Sequence, residues 1–293
     1  MIYKDSLYGA EWELPEMVEH LMQTRELTRL ERVSLGILPV SLNPFPLTNR
    51  LLHSMGVCYL AHLVLEQNQL LAPYRNLILA SSLLHDAGSP GLSHLTEYCL
   101  KEETGKNGEE FLETILNRNI SPAKTILDRF HVSAKNVAAL VRGDFGSLSF
   151  LLNGSLDIDN LDNVARFKKT ARIKGKNYNP IAIASSFRFQ DERWTLLDAC
   201  YGEVENWLEA REAIYETFYS DPHLALVAMI DRALQIAFFE KEIEPDIFFL
   251  LDDDSTLQYL QSCNTRTAHL IAKVRSQAPS EWHQQILCSE YTG

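Results

Sequence analysis

Cysteine is sparse in this 293-residue chain and never closely spaced: Cys58, Cys99, Cys200, Cys263 and Cys288 include no Cys-x-x-Cys. Neither a zinc knuckle nor a disulfide framework is suggested, and a reducing compartment fits. Positive charge is also short. The 27 Lys and Arg against 39 Asp and Glu leave a formal net charge of −12, which argues against nucleic acid as the main partner, since surfaces that bind it are basic. No apolar run approaches the ~18 residues of a membrane span, and the start MIYKDSLYGAEWELPEMVEHL lacks the basic and apolar regions of a signal peptide. The expectation is a cytoplasmic protein without a membrane partner. Internal repeats and low-complexity tracts are absent as well.

What is present is enough apolar material, 46% of residues, to bury a large core without staples. Apolar residues recur at three and four spacings, the helical period. This predicts an all-α protein with helices near 15–29, 49–67, 75–86, 91–103, 109–117, 121–130, 133–142, 148–167, 192–219 and 222–241. One small hairpin is expected near 170–189, where a Gly-Lys-Asn turn sits between β-branched residues. Residues 1–241 read as the core of one domain, with 242–293 a helical segment packed on it. Pro44 and Pro46 make SLNPFPLTN an irregular entry to the helix that follows. The acidic run Asp252-Asp253-Asp254 reads as a solvated turn and helix start.

Four residues carry the candidate chemistry. His53 lies in RLLHSMGV, His85 and Asp86 end the apolar run LILASSLLHDAG, and Asp159 lies in GSLDIDNLDNVAR. Taken alone, the dipeptide also reads as a helix-terminal His beside a capping Asp. An adjacent His and Asp at the end of an apolar run are costly to bury, however, unless something pairs or coordinates them. Two imidazoles and two carboxylates from three helices suffice for one divalent ion, with positions left open for water and a phosphate oxygen. Such a donor set tolerates Mn, Fe, Co, Ni, Zn and, more weakly, Mg.

The order of these residues resembles the HD-domain metal-dependent phosphohydrolases, and among them the deoxynucleoside triphosphate triphosphohydrolases. The resemblance runs through Asp5 and Gly9, Arg29-Leu30, Leu35-Gly36, Asn49-Arg50 with His53-Ser54 and Gly56-Val57, His85-Asp86 with Gly88 and Ser93-His94, then Asp157, Asp159, Asp162 and Arg166. It continues more weakly through Arg211 and Tyr219 and fades after about residue 240. It implies an HD-type helical bundle in which His53, His85, Asp86 and Asp159 hold the ion and Arg50 contacts substrate phosphate. His94, Glu109 and Glu110 become the candidate catalytic residues, the two Glu because they stand nearest to a His-Glu pair of the family. Arg211 and Tyr219 fall at substrate-contacting positions. Lys168 and Lys169, in the basic run FKKTARIKGK, are candidates for a phosphate funnel, although a solvated basic face and an Arg166–Asp162 ion pair are the plainer readings of that region.

Departures from the family pattern concern the nucleoside more than the metal. Ser89 stands where relatives have a second His after the His-Asp pair, Asn160 replaces a phosphate-binding Lys, Asn163 a sugar-packing Tyr, and Phe167 an Asp that accepts from a 3′-hydroxyl. The expected partner is therefore a small phosphorylated molecule, nucleotide-like but altered, and a homo-oligomer stays open. Two alternatives remain: a non-catalytic nucleotide-binding or regulatory HD protein, and an HD-fold diiron oxygenase. The oxygenase is disfavoured because only His94 and His131 lie between the His-Asp pair and Asp159.

Overall fold

An apolar helix that is hydrophobic on all sides can only sit at the centre of its protein, and RLLHSMGVCYLAHLVLE does so. The computed structural model describes residues 1–36, 42, 48–118, 120–218 and 221–276. Its labelled helices are α1 (Glu16–Met22), α2 (Arg50–Glu66), α3 (Arg75–Leu84), α4 (His94–Thr104), α5 (Gly108–Leu116), α6 (Pro122–Arg129), α7 (Ala134–Val141), α8 (Ile158–Thr170), α9 (Pro180–Ser186), α10 (Tyr201–Phe218), α11 (Asp221–Phe239), α12 (Asp253–Ser262) and α13 (Thr265–Arg275). The fold is all-α apart from two antiparallel hairpins, β1 (Ile2–Lys4) with β2 (Glu11–Glu13) and β3 (Phe187–Gln190) with β4 (Arg193–Leu196). Central α2 packs against α3, α8 and α9, and α7 lies on the far side of α3. A second apolar cluster gathers α11, α12 and α13 against α4 and Phe111. No described helix is long and apolar enough to cross a membrane.

Several boundaries differ from the sequence reading for local reasons. The expected helix over 148–167 is two pieces, because the turn Phe150–Asn153 ends at Gly154 and Asp157 caps a new helix by accepting from the Asn160 amide. The hairpin is displaced from 170–189 to 187–196. Asn179-Pro180 starts a helix instead of a strand, since the Asn179 side chain accepts from the Ala182 amide and proline suits the first helical turn. The actual turn is Asp191-Glu192, both with positive φ (50° and 58°), a mirror-image turn without the usual glycine. Helix α10 accordingly begins at Tyr201 and not near 192. The hairpin of residues 2–13 was not anticipated.

The acidic run is likewise corrected in part. Asp252 does cap α12, accepting from the Ser255 amide, but it is not solvated. Asp252 and Asp253 are 6% and 5% exposed. Their partners are the Arg32 guanidinium for Asp252, and the Ser34 and Leu92 amides for Asp253.

Gly56 fixes the separation of α2 and α8. A Cβ at this position would overlap the Asp162 carboxylate and the Arg166 guanidinium, neither of which can retreat, because both are buried and bonded to each other. Gly56→Ala is therefore expected to cost about 1–3 kcal/mol by overpacking, read as a lower melting temperature in thermal denaturation. An unchanged melting point would show that α2 and α8 have slack.

Candidate metal centre

Three helix termini bring the candidate ligands together. Asn49 caps α2 through the Leu52 amide and so starts the helix at Arg50, putting His53 at the end of its first turn. His85 terminates α3 and Asp86 enters the following turn. Asp159 occupies the first turn of α8 behind its Asp157 cap. His53 Nε2 then lies 3.2 Å from His85 Nε2 and 2.9 Å from Asp159 Oδ1. His85 Nε2 is 3.8 Å from Asp159 Oδ1, and Asp86 Oδ2 is 3.6 Å from His85 Nε2 and 3.9 Å from His53 Nε2. Donor atoms around one ion with bonds of ~2.1 Å stand roughly 3.4 Å apart in a tetrahedron. The measured separations straddle that spacing.

Outer partners orient each donor. His53 Nδ1 is 2.8 Å from Asp162 Oδ1 and His85 Nδ1 is 2.8 Å from the Ser82 carbonyl; both partners are acceptors, so each Nδ1 carries hydrogen and each Nε2 can present a lone pair. Asp86 Oδ1 accepts from Arg50 Nη1 and from Ser89 Oγ. Its other oxygen, Oδ2, is buried with no hydrogen-bond partner among the described residues and faces the two imidazoles. An orphaned carboxylate oxygen and two converging nitrogens cost free energy unless a cation sits between them. The residues present thus fit a divalent ion.

Electrostatics agree. Burial opposes charge on His53, but hydrogen bonds to Asp159 and Asp162 outweigh it and raise its pKa to about 9. Burial also opposes charge on Asp86, yet Arg50 and the two imidazoles hold its carboxyl far below the usual range, and His53 and His85 lower Asp159 against the same penalty. In the absence of a metal, a proton on His53 does the work of the cation.

The structure sorts the remaining candidates. Arg50, Ser89, His94, Glu97 and Glu109 line a cavity of about 150 Å³ together with the four donors. His94 is exposed and pairs with Glu97, whose other oxygen accepts from the Gly108 amide. Burial, followed by the neighbouring carboxylates of Glu97, Asp159, Glu110 and Asp86, pushes the Glu109 carboxyl up to about 7. Glu110 does not share that role. Its carboxylate accepts from the Asn107 amide while Asn107 accepts from the Glu110 amide, a capping box that starts α5.

Lys168 and Lys169 do not form a funnel into the metal cavity either. Lys168 Nζ is bound by the carbonyls of Ile173 and Gly175, and Lys169 Nζ by the Ser6 carbonyl, beside a separate cavity walled by Tyr8 and Tyr178. Lys168 closes the turn after α8, and Lys169 ties α8 to the N-terminal hairpin. Arg211 stacks over Trp207 and Tyr215 and lines a second cavity of about 370 Å³ that shares Leu35, His94 and Asn163 with the metal cavity. Tyr219 lies outside the described residues. Sequence reasoning missed the roles of Tyr8 and Glu97, which had no motif to flag them, and gave Ser93 a place in the family pattern without a role.

No protein-family profile matches the chain. It is 25% identical over 221 residues to an uncharacterized protein of Mycoplasma pneumoniae, covering 69% of this chain and 51% of that protein. It is 24% identical over 266 residues to an uncharacterized protein of Methanocaldococcus jannaschii, covering 89% and 55%. The chain thus spans about half the length of the curated relatives it matches. Among solved structures it is similar to a phosphohydrolase from Bacteroides thetaiotaomicron, with TM-score 0.78 and 18% identity over 94% of this chain and 77% of that one. The chain shares the fold of that phosphohydrolase. A hypothetical protein from Aquifex aeolicus shares it, with TM-score 0.77 and 20% identity over 95% and 76% of the two chains.

Because metal binding must displace the proton on His53, apparent affinity for Mn²⁺ or Zn²⁺ is expected to rise roughly tenfold per pH unit from about pH 7 and to level off near the pKa of about 9. Competition with a chelating dye measures it, and a flat profile would place the proton elsewhere. Asp162→Asn should weaken metal affinity by about 10- to 100-fold, the usual cost of losing an outer partner of a ligating imidazole. Equal affinities in the two proteins would reduce Asp162 to a packing residue.

Proposed function

We propose that the chain is a divalent-metal-dependent phosphohydrolase of HD type, acting on a phosphoester or phosphoanhydride. The observation that carries this reading is the convergence of His53, His85, Asp159 and the partnerless Asp86 Oδ2 beside the Arg50 guanidinium. When bound, a divalent ion supplies Lewis acidity toward a phosphoryl oxygen and an activated water. The protein side chains supply position and protons. Arg50, held in place by Asp86 and Ser93 Oγ, offers a directed positive charge to a phosphoryl oxygen. Glu109, with a carboxyl that keeps its proton up to about pH 7, is placed to protonate a leaving oxygen, a role that suits a pKa near the working pH.

The organic part of the substrate fits the adjoining cavity, whose walls include Val164, Phe167 and Ile214 with Arg211 and Asn160. These residues offer few acceptors to a sugar. A nucleotide-like substrate that differs from ordinary deoxynucleoside triphosphates is the reading favoured by Asn160, Asn163 and Phe167. Ser89 Oγ is committed to Asp86 and supports the metal ligand instead of transferring protons. The non-catalytic alternative draws on that same Ser89, but it leaves the Glu109 carboxyl without a purpose.

A panel of nucleotides and phosphoesters assayed with Mn²⁺, Co²⁺, Ni²⁺ and Mg²⁺ tests the proposal. Turnover should require metal and vanish, together with metal retention, in His85→Ala and Asp86→Ala proteins that remain helical. Arg50→Ala, assayed at saturating metal because it also removes an outer partner of Asp86, is expected to lower kcat/KM by about 10- to 1000-fold. Inorganic triphosphate release from the four common dNTPs should be weak or absent. Unchanged metal content in both ligand variants, or rapid triphosphate release from all four at micromolar concentration, would contradict the site or the substrate assignment respectively.

A further inference from the structure

The guanidinium of Arg50 is steered by a ring of hydrogen bonds that closes through the C-terminal helices. Ser93 Oγ accepts from Arg50 Nε at 2.9 Å and donates to the Ser34 carbonyl at 3.1 Å. The Ser34 amide, on the other side of the same residue, donates to Asp253 Oδ2 at 2.9 Å, and the Leu92 amide donates to Asp253 Oδ1 at 2.8 Å. One carboxylate at the start of α12 therefore holds both segments between which Ser93 is stretched.

The segment it holds is strained. Leu92 and Ser93 have φ of 62° and 49°, conformations that cost a non-glycine residue about 1–3 kcal/mol and persist only when their surroundings impose them. Gly91 lets the strain be imposed at close range, because a Cβ there would overlap the Asp252 carbonyl and the Thr256 hydroxyl of the α12 start. Arg29 adds a second tie, donating to the Leu251 carbonyl on one side and to the Ala87 and Ser89 carbonyls on the other. A buried carboxylate satisfied by two backbone amides is an expensive way to pack a turn. Its geometric product is the position of Ser93 Oγ.

We infer that Asp253 is a positioning residue for the phosphate-binding cation: through Leu92, Ser93 and Ser34 it sets the direction of the Arg50 guanidinium. The C-terminal helices thereby contribute to the metal cavity without lining it. This rests on the phosphate role proposed above for Arg50, and the two can fail separately.

Asp253→Asn keeps the volume but replaces one acceptor by a donor facing a backbone amide. With full metal content, this variant is expected to bind sulfate, a phosphate mimic, about tenfold more weakly, with KM for any identified substrate rising while kcat stays near wild type. In an Arg50→Ala background the same change should leave sulfate affinity where Arg50→Ala alone had set it, as coupling through one residue requires. Exchange of the Arg50 Nε proton, followed by nuclear magnetic resonance, should accelerate in Asp253→Asn. Ser93→Ala removes one oxygen from the ring and should reproduce both effects if Asp253→Asn fails to fold. An Arg50 Nε proton as protected in the variants as in wild type overturns the inference, as does an undiminished effect of Asp253→Asn in the Arg50→Ala background. Faster exchange without any change in sulfate affinity upholds the ring and overturns the phosphate role of Arg50 instead.

Discussion

The buried carboxylate of Asp162 is the constraint around which the rest is arranged. Fully enclosed, it accepts from His53 Nδ1, from Arg166 Nε and Nη2, and from the Tyr8 phenol at 2.5 Å. A charge without access to water is tolerable only with such complete partnering, and each partner imposes a geometric condition. The imidazole must lie on the first turn of α2, opposite α8. The guanidinium must sit one turn along α8, where it also reaches Asp5. The hairpin of residues 2–13 must fold against this pair so that Asp5 and Tyr8 arrive. Gly56 is the concession α2 makes to let all of this approach. The candidate ligand His53 is thus one end of a buried charge network whose other end is the N-terminal hairpin.

The acidity of the site and the proposed phosphate chemistry are reconciled by position. The candidate metal cavity sets the carboxyl groups of Asp86, Asp159, Glu97 and Glu109 against Arg50 and the His53 imidazole, whose pKa is raised to about 9, a surplus of acidic groups that disfavours an oxyanion in the absence of a dication. On the function proposed above, the ion would have to bind before an anionic substrate does. The lysines that might have offset this charge are spent on backbone carbonyls, Lys168 on the turn after α8 and Lys169 on the N-terminal hairpin. The directed cation is Arg50, and it is also tied to a candidate metal ligand, Asp86.

Much of this was legible in the residues. The apolar period placed the central helices because packing on all sides of α2 leaves an unmistakable run, and the four donors stood out because His and Asp are costly in such runs. The ion pair of Arg166 with Asp162 followed from their four-residue spacing. What escaped has one physical cause: backbone groups choose side-chain partners that spacing does not reveal. Glu109 and Glu110 are adjacent and chemically identical, yet the capping box takes the second and leaves the first to the cavity. Lys168 and Lys169 look like surface charge until the carbonyls of the next turn claim the first and the Ser6 carbonyl claims the second. Asp253 sits in a run that reads as solvated because nothing nearby in sequence announces the Ser34 and Leu92 amides, 219 and 161 positions away. The displaced hairpin has a local cause, an Asn-Pro pair that begins a helix where strands were expected.

The pairing of Asp5 with Arg166 joins positions 161 apart, and it bears on when the ligand cluster comes into being as well as on where it sits. Closing so long a loop costs chain entropy that local helix formation cannot repay. During synthesis, His53, His85 and Asp86 leave the ribosome long before Asp159, Asp162 and Arg166, so an ion that arrives early meets a partial and unsupported set of donors. The full set of candidate donors exists only once α8 has been made and paired with the N-terminal hairpin, so any choice among cations falls to the folded chain and not to the nascent peptide.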